Sequence, residues 1–587
     1  MYCPECGTRL EEGELFCPEC GTKVEMEDLS SAGAAMSSGP SFATPVSSSY
    51  GNREDECHVP VAARGLILTN IRTLSKRLGV NADGLREVLD LYIKHMRTLG
   101  VRYVLLDAGD YTYQRKPKFG KPKHVSLGPS DPWHAYADIL LDWHEEEMRT
   151  GQTESDYLFI IGGEMDVPMA RVRNFVDNNN DSTLDTDLLY AYPYGPDMAE
   201  KLQNQELFKY DALFYVGRLP IALDGSIEDL TGYLQNVLDN GCSVPLGYAY
   251  VQCDPHWQQV TAEITKDLSE CGMVPEYAPG VPPTILSKDN ILLTPHVVCD
   301  SRSRTHPRFN KDAAYYFFNM HGSDVREACG FSGEGLHNEG WATGMSPTLI
   351  SQASRPNLLF TQACYGGRFI NYRKRESTVL TALASNTLAY VGSSRTAVGT
   401  VDGGMLMGSD ILGLVYNGCM LSGGTAGASF FQARIATFKS NPGHPYSAMT
   451  ITEFNLFGDP LVHLRLNDKS VDYTGDKHAV LAKDAQVAPI RTEVLMQKSA
   501  GNQSLLSQVR QAVDNNIMAI SAAIAKTLYA QYGVEAREPS VISRYSYADG
   551  HKELSFVYLR SAPDGIRNEV HVQSSEKGDI LQVSATK

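Results

Sequence analysis

From Val59 to about Leu466 short apolar runs alternate with helical stretches, and this alternation limits the possible folds more than any other feature of the chain. The runs are RGLILTNI (Arg64 to Ile71), VRYVLLDAG (Val101 to Gly109), DYLFIIGGE (Asp156 to Glu164), ALFYVGRLP (Ala212 to Pro220), YAYVQCD (Tyr248 to Asp254), AAYYFFNMHG (Ala313 to Gly322), NLLFTQACYGG (Asn357 to Gly367) and NTLAYVGSS (Asn386 to Ser394). Helical periodicity falls between many of them, as at Ala82 to Leu99, Trp133 to Arg149 and Ile227 to Asp239. A strand that is apolar on both faces must be covered on both faces. The pattern therefore predicts an α/β fold with a parallel sheet sandwiched by helices. In such sheets ligands bind at the carboxyl ends of the strands.

A different module precedes this body. CPECGT at Cys3 to Thr8 recurs at Cys17 to Thr22. Each copy is a knuckle of two cysteines separated by two residues, followed by a glycine that lets the backbone turn. Four thiolates, from Cys3, Cys6, Cys17 and Cys20, form the donor set of a closed structural Zn²⁺ site. About 25 residues bury too little apolar area to fold alone, so the metal would supply much of the folding free energy. Glu5, Glu11, Glu12, Glu14, Glu19 and Glu25 outnumber Arg9 and Lys23. That surface repels phosphates, and a docking or structural role is expected rather than nucleic-acid binding. Met26 to about Glu56 turns to Ser, Ala, Gly and Pro with no apolar face, the composition of a flexible tether.

Whole-chain composition narrows the class. The 587 residues, 42% hydrophobic and 21% charged, suit a multidomain globular protein. Fifty-two basic against 69 acidic residues give a net charge of -17, which disfavours nonspecific binding to nucleic acid. No apolar stretch is long enough for a membrane span, and Met1 to Cys6 has neither the basic nor the apolar part of a secretory signal. The twelve cysteines are four clustered and eight scattered, which suits a reducing compartment. A cytoplasmic location is expected.

Two of the apolar runs end in residues that can do chemistry. YYFFNM runs into His321-Gly322, and LLFTQA runs into Cys364-Tyr365-Gly366. If those strands are parallel neighbours, the imidazole and the thiol leave the sheet on one edge. Cys364 would attack a carbonyl, His321 would carry the protons, and the amides of Gly322 and Cys364 would hold the oxyanion.

An apolar strand ending in His-Gly and a later one ending in Ala-Cys resembles the caspase-like clan of cysteine peptidases, and within it the gingipain-type family. YLFIIGGEMDVP resembles that family's strand ending in Val-Gly-Asp with its Ile-Pro turn. DTDLLYA, with Asp187 and Tyr190, resembles its Ser-Asp-x-x-Tyr element. ALFYVGRLP, LAYVGSSRT and FNLFGDPLVHL (Phe454 to Leu464) resemble three further strands, in the right order from Arg64 to Leu466. The resemblance implies a caspase-like domain with a Cys-His dyad, and a carboxylate behind the imidazole, for which Asp254 at the end of YAYVQCD is the positional candidate. It further implies a basic residue on the acyl side of the cut bond (P1), with Asp187 as a substrate-binding candidate whose carboxylate could equally face a metal or a structural hydrogen bond. Arginine-specific members carry a Trp shortly after the strand matched by AYVGSS, where this chain has Val398. Ca²⁺ sites also occur in the family, and DNNNDST (Asp177 to Thr183) offers oxygen ligands, although a polar surface loop is the plainer reading of that segment.

After Leu466 the chain becomes polar. From Ser504 to Tyr532 the spacing of Leu505, Leu506, Val509, Val513, Ile517, Ile520, Ile524 and Leu528 predicts an amphipathic helix. VISRYSY, LSFVYLR, EVHVQSS and ILQVSAT follow as two hairpins. The expected organisation is a zinc ribbon over 1–25, a linker over 26–56, a caspase-like catalytic domain over 57–470, a linker over 471–500 and an α+β accessory domain over 501–587. The expected function is an intracellular cysteine endopeptidase that forms a thioester on Cys364 and is regulated by its accessory domains. Its partners would be a protein or peptide substrate and a protein bound at the ribbon or the C-terminal domain. The alternatives are an inactive caspase-like scaffold and another Cys-dependent acyl transferase.

Overall fold

The apolar runs become strands because they bury every side chain. In Tyr157–Ile161 all five residues are buried, each large aliphatic or aromatic one contributing about 1.5–3 kcal/mol. The computed structural model describes residues 61–115, 123–128, 131–150, 155–176, 181–270, 273–276, 309–326, 329–334, 341–401, 404–467, 470–473, 477, 489, 491–497, 515–560, 562, 566 and 568–587. The Cys₄ segment, the linker after it and the positions Leu505 to Val513 of the C-terminal helix lie outside the described residues.

In chain order the main strands are β1 (Ala63–Thr69), β2 (Val101–Asp107), β3 (Tyr157–Ile161), β4 (Tyr215–Leu219), β5 (Tyr248–Cys253), β6 (Val274–Glu276), β7 (Ala313–Asn319), β8 (Asn357–Thr361), β9 (Thr387–Ser393), β10 (Val398–Thr400) and β11 (Phe454–Gly458). All but β10 form one ten-stranded sheet in the order β6-β5-β7-β8-β9-β11-β4-β3-β1-β2. Helices such as Ala82–Thr98, Ile227–Asp239 and α1 (Ser409–Leu421) accompany it, and one continuous apolar core joins sheet and helices.

The sheet is not uniformly parallel. β11 is antiparallel to β9 and parallel to β4. Two parallel halves of opposite direction, one from the first part of the body and one from the second, therefore meet at β11. Strand–helix alternation encodes the crossovers within each half but not how the halves join. Behind the join, Asp459 accepts hydrogen bonds from Tyr92 (2.6 Å) and Tyr103 (2.7 Å), side chains of the first half.

Among the described residues the C-terminal part has one helix, α2 (Asn515–Tyr532), and five strands: β12 (Arg491–Gln497), β13 (Val541–Ser546), β14 (Lys552–Leu559), β15 (Glu569–Ser575) and β16 (Ile580–Thr586). The two expected hairpins thus gain β12, from a segment that reads as a connection, and β10 from the body. The sheet order is β10-β16-β15-β14-β13-β12, antiparallel throughout. Ile517, Ile520, Ile524 and Leu528 of α2 pack in a second apolar cluster that also takes in Trp257 and Val401 of the body. Among the described residues no helix is long and apolar enough to cross a membrane.

Candidate active site

β7 and β8 are parallel neighbours, with Phe318 opposite Thr361. His321 and Cys364 each lie three residues past that pair, so register alone brings both to one edge of the sheet. The backbones touch there. A Cβ on Gly322 would lie 1.7 Å from the carbonyl oxygen of Cys364, so only glycine fits. Just past the nucleophile candidate, Tyr365 takes a positive φ of 58° in the tight turn.

Both reactive side chains are buried, His321 at 2% and Cys364 at 1% exposure. The imidazole lies between Trp257 and Trp341, with ring centroids 4.5 and 4.9 Å away. Its Nδ1 has no hydrogen-bond partner among the described residues. Burial pushes its pKa down to about 3, against the opposing pull of the Asp254 charge; Arg560, His256 and Lys587 lower it further. The Cys364 thiol receives a hydrogen bond from the Ala397 N–H (3.2 Å) and points back at the Ala397 carbonyl (3.5 Å). Burial raises its pKa well above the ordinary thiol value, the Ala397 N–H opposing. In this state the pair is a thiol and a neutral imidazole.

Asp254 is fully buried and faces the imidazole through its charge, but its hydrogen bonds go elsewhere. Oδ1 accepts from the backbone N–H and Nδ1 of His256 (2.9 and 2.7 Å), and Oδ2 accepts from the Glu334 N–H (2.8 Å). Burial raises its pKa, and the His256 hydrogen bond and the His321 and His256 charges outweigh that and hold it low.

Of the roles open to Asp187, the structure shows a structural one: its two oxygens accept from Arg218 Nε (2.7 Å) and Nη2 (2.6 Å) in a buried bidentate pair. Asp181, the described carboxylate of the calcium candidate segment, is likewise occupied. It accepts from the Thr396 N–H (3.0 Å), Thr396 Oγ1 (2.6 Å) and Tyr365 Oη (3.0 Å). Among the described residues no cluster of His, Cys, Asp and Glu fits a metal ion; residues 177–180 of that segment lie outside the described residues.

What the sequence did not announce is that β16 reaches Cys364. β16 runs antiparallel to β10, with Thr586 opposite Val398, Ala585 opposite Gly399 and Ser584 opposite Thr400. At its end the Lys587 N–H donates to the Ala397 carbonyl (2.9 Å), and the Lys587 carbonyl accepts from the Cys364 N–H (2.9 Å). The lysine side chain is fully buried. Its Nζ lies 3.0 Å from Asp410 Oδ1 and 4.4 Å from the centroid of Trp257, an ion pair with a cation–π contact. Asp410, in the first turn of α1, also accepts from Gln362 Nε2 (2.8 Å) and from the Thr400 N–H. A Cβ on Gly399 would lie 2.2 Å from Lys587 Cε, so the glycine makes room for the lysine stem. Asp410 reads in sequence as an ordinary helix-start residue and Lys587 as the end of a strand; only tertiary structure brings them together.

Residues 272–465 match the model of peptidase family C25. This part of the chain is similar to peptidase family C25. It contains His321, Cys364, Gly399 and Asp410, and with it the chain is of cysteine-peptidase type. Residues 2–24 match the model of a zinc-ribbon domain. No curated protein matches the chain. Among solved structures, one described as a protease aligns at 11% identity and a TM-score of 0.45, over 89% of this chain and 91% of that one. The complex of the pro- and mature domains of Porphyromonas gingivalis RgpB aligns at 12% and 0.42, over 89% and 99%. The Arg-specific cysteine proteinase gingipain R aligns at 12% and 0.41, over 90% and 99%.

Proposed function

We propose that the chain is a cysteine endopeptidase that cuts after lysine. The observation that carries this is a peptide strand paired along β10, with its last carbonyl on the Cys364 N–H and its lysine on Asp410. A substrate strand bound the same way presents its P1 carbonyl carbon to the thiol. His321 takes the thiol proton as sulfur attacks, and the C–S bond forms while the carbonyl electrons move to oxygen. The Cys364 N–H, with the adjacent Gly322 N–H, receives that oxyanion. The tetrahedral adduct collapses, the C–N bond breaks, and the imidazolium protonates the leaving amine. Water, deprotonated by His321, then hydrolyses the thioester and frees the acid and the thiol. Asp254 stabilises the imidazolium through its charge rather than through a direct hydrogen bond.

Zn²⁺ belongs at the ribbon, held by Cys3, Cys6, Cys17 and Cys20; four thiolates in two knuckles fit it and leave no open position. It takes no part in the reaction. We place the enzyme in a reducing, cytoplasmic setting, which the scattered cysteines of the sequence suit. The ribbon and the C-terminal domain serve regulation and docking. A mass-spectrometric cleavage profile on a proteome-derived peptide pool, run with Lys587→Ala so that Cys364 is uncovered, tests the assignment. Cuts after lysine that vanish when Cys364→Ala is added are expected; cuts that persist in the double variant, or a P1 without lysine, would refute it.

A further inference from the structure

We infer that β16 is a substrate strand held in cis: the C-terminal domain lays Ser584, Ala585, Thr586 and Lys587 in the P4 to P1 places, and a protein substrate enters only when this strand leaves. The inference rests on the peptidase assignment above for the meaning of the cleft.

The main chain is bracketed on both sides. Antiparallel pairing along β10 supplies backbone recognition that any extended peptide satisfies. At the end, Ala397 and Cys364 clasp the N–H and the carbonyl of one residue, Lys587. That carbonyl lies on the amide of the reactive cysteine, where an acyl group belongs. Lys587 offers the cleft the same side chain and carbonyl with either a carboxylate or a further peptide bond after it.

The side chain argues for recognition rather than simple docking. A strand that only anchors a domain is served best by an apolar residue, because a buried ion pair repays its desolvation poorly. Here a fully buried lysine meets a fully buried aspartate on which Gln362 and Thr400 also converge, under an indole face. Residues 584–586 are small or short. The Thr586 Oγ1 accepts from the Glu569 N–H (2.8 Å), so this side chain faces the occupant's own sheet rather than the body.

The domain also covers the imidazole side. Ile566 bridges Ser323, Arg560 Nη2 reaches His256 Nε2 (3.1 Å), and Trp257, in tilted ring contact with His321, belongs to the C-terminal apolar cluster. On the far flank Asn441 donates to Gln582 (3.1 Å) and Tyr446 bonds His571. One body thus covers the thiol side and the imidazole side together.

The test is the alkylation rate of Cys364 by iodoacetamide in the full chain, read by peptide mass mapping against buried Cys253 of the same molecule. In wild type the Cys364 to Cys253 ratio should be low. Lys587→Ala should raise it at least tenfold, and the synthetic peptide Leu-Gln-Val-Ser-Ala-Thr-Lys, added in trans to that variant, should lower it again, whereas the same peptide ending in alanine should not. An unchanged ratio in Lys587→Ala, including one in which both thiols react faster together through unfolding, would overturn the inference. Cleavage separates the two claims. A Lys587→Ala protein with an unmasked thiol that cuts no lysyl peptide would keep the cis strand and sink the peptidase assignment.

Discussion

Asp410→Asn gives the sharpest handle on specificity. The carboxylate is fully buried, pairs with the lysine ammonium at 3.0 Å, and accepts two further hydrogen bonds from Gln362 and Thr400. An amide in its place has one acceptor oxygen where three donors converge, and its NH₂ opposes donors. Breaking a buried pair from one side costs about 3–5 kcal/mol, because the remaining charge is left uncompensated. At about 1.4 kcal/mol per tenfold, that is roughly 10²–10³-fold or more in kcat/KM for lysine. A P1 norleucine, which keeps the stem and lacks the charge, should lose little. The assay compares Ser-Ala-Thr-Lys and Ser-Ala-Thr-norleucine fluorogenic amides, in a Lys587→Ala background so that the cleft is open. The lysine-to-norleucine ratio should fall by about two orders of magnitude or more. A ratio that moves by less than about threefold would show that Asp410 does not read P1.

Three further outcomes are expected. Gly399→Val places a side chain where Lys587 Cε now sits, so cleavage after lysine should fall while cleavage after alanine in the same peptide frame does not, as P1 kinetics would show. Arg218→Met leaves Asp187 buried and unpaired, and should cost about 3–5 kcal/mol in a denaturant melt; the double variant with Asp187→Leu should recover much of it, and neither should alter P1 choice. Burial holds the His444 pKa down to about 4, so the fold favours its neutral form. Its contribution, about 3 kcal/mol, is whole above pH 6.5 and is lost as the pH falls from 6.5 toward 4; melts across that window should show a shallower slope in His444→Asn.

The strands and the reactive pair were legible because their signals are local. An unbroken apolar run such as YYFFNM can only be a covered strand, and His321 and Cys364 stand directly at two such ends. Sheet direction was not legible, since β11 follows β9 after three helices and nothing in FNLFGDP says which way it enters. The role of Asp187 stayed open for a related reason: a retained acidic residue suits a basic substrate, a metal or a structural partner, and its partner here is Arg218 of the same chain. Asp181 is similar, a polar-loop residue whose oxygens serve Thr396 and Tyr365. Asp410 and Lys587 were invisible because neither has a local pattern. Each looks ordinary until the domain that carries one is packed on the body that carries the other.

The place of β11 bears on how the protein can be made. It is the last strand of the large sheet to be synthesised, yet it lies in the middle, between β9 and β4. After β4 leaves the ribosome, more than two hundred residues must follow before β11 emerges, a delay of about ten seconds or more at ordinary translation rates. Throughout that interval the nascent chain holds a half-sheet with an unpaired edge at β4, and Tyr92 and Tyr103 await their shared acceptor, Asp459. Open edges of this kind recruit other strands. Early emerging chains should therefore depend on chaperone cover, and any truncation before Phe454 should yield an aggregating product rather than a smaller working enzyme.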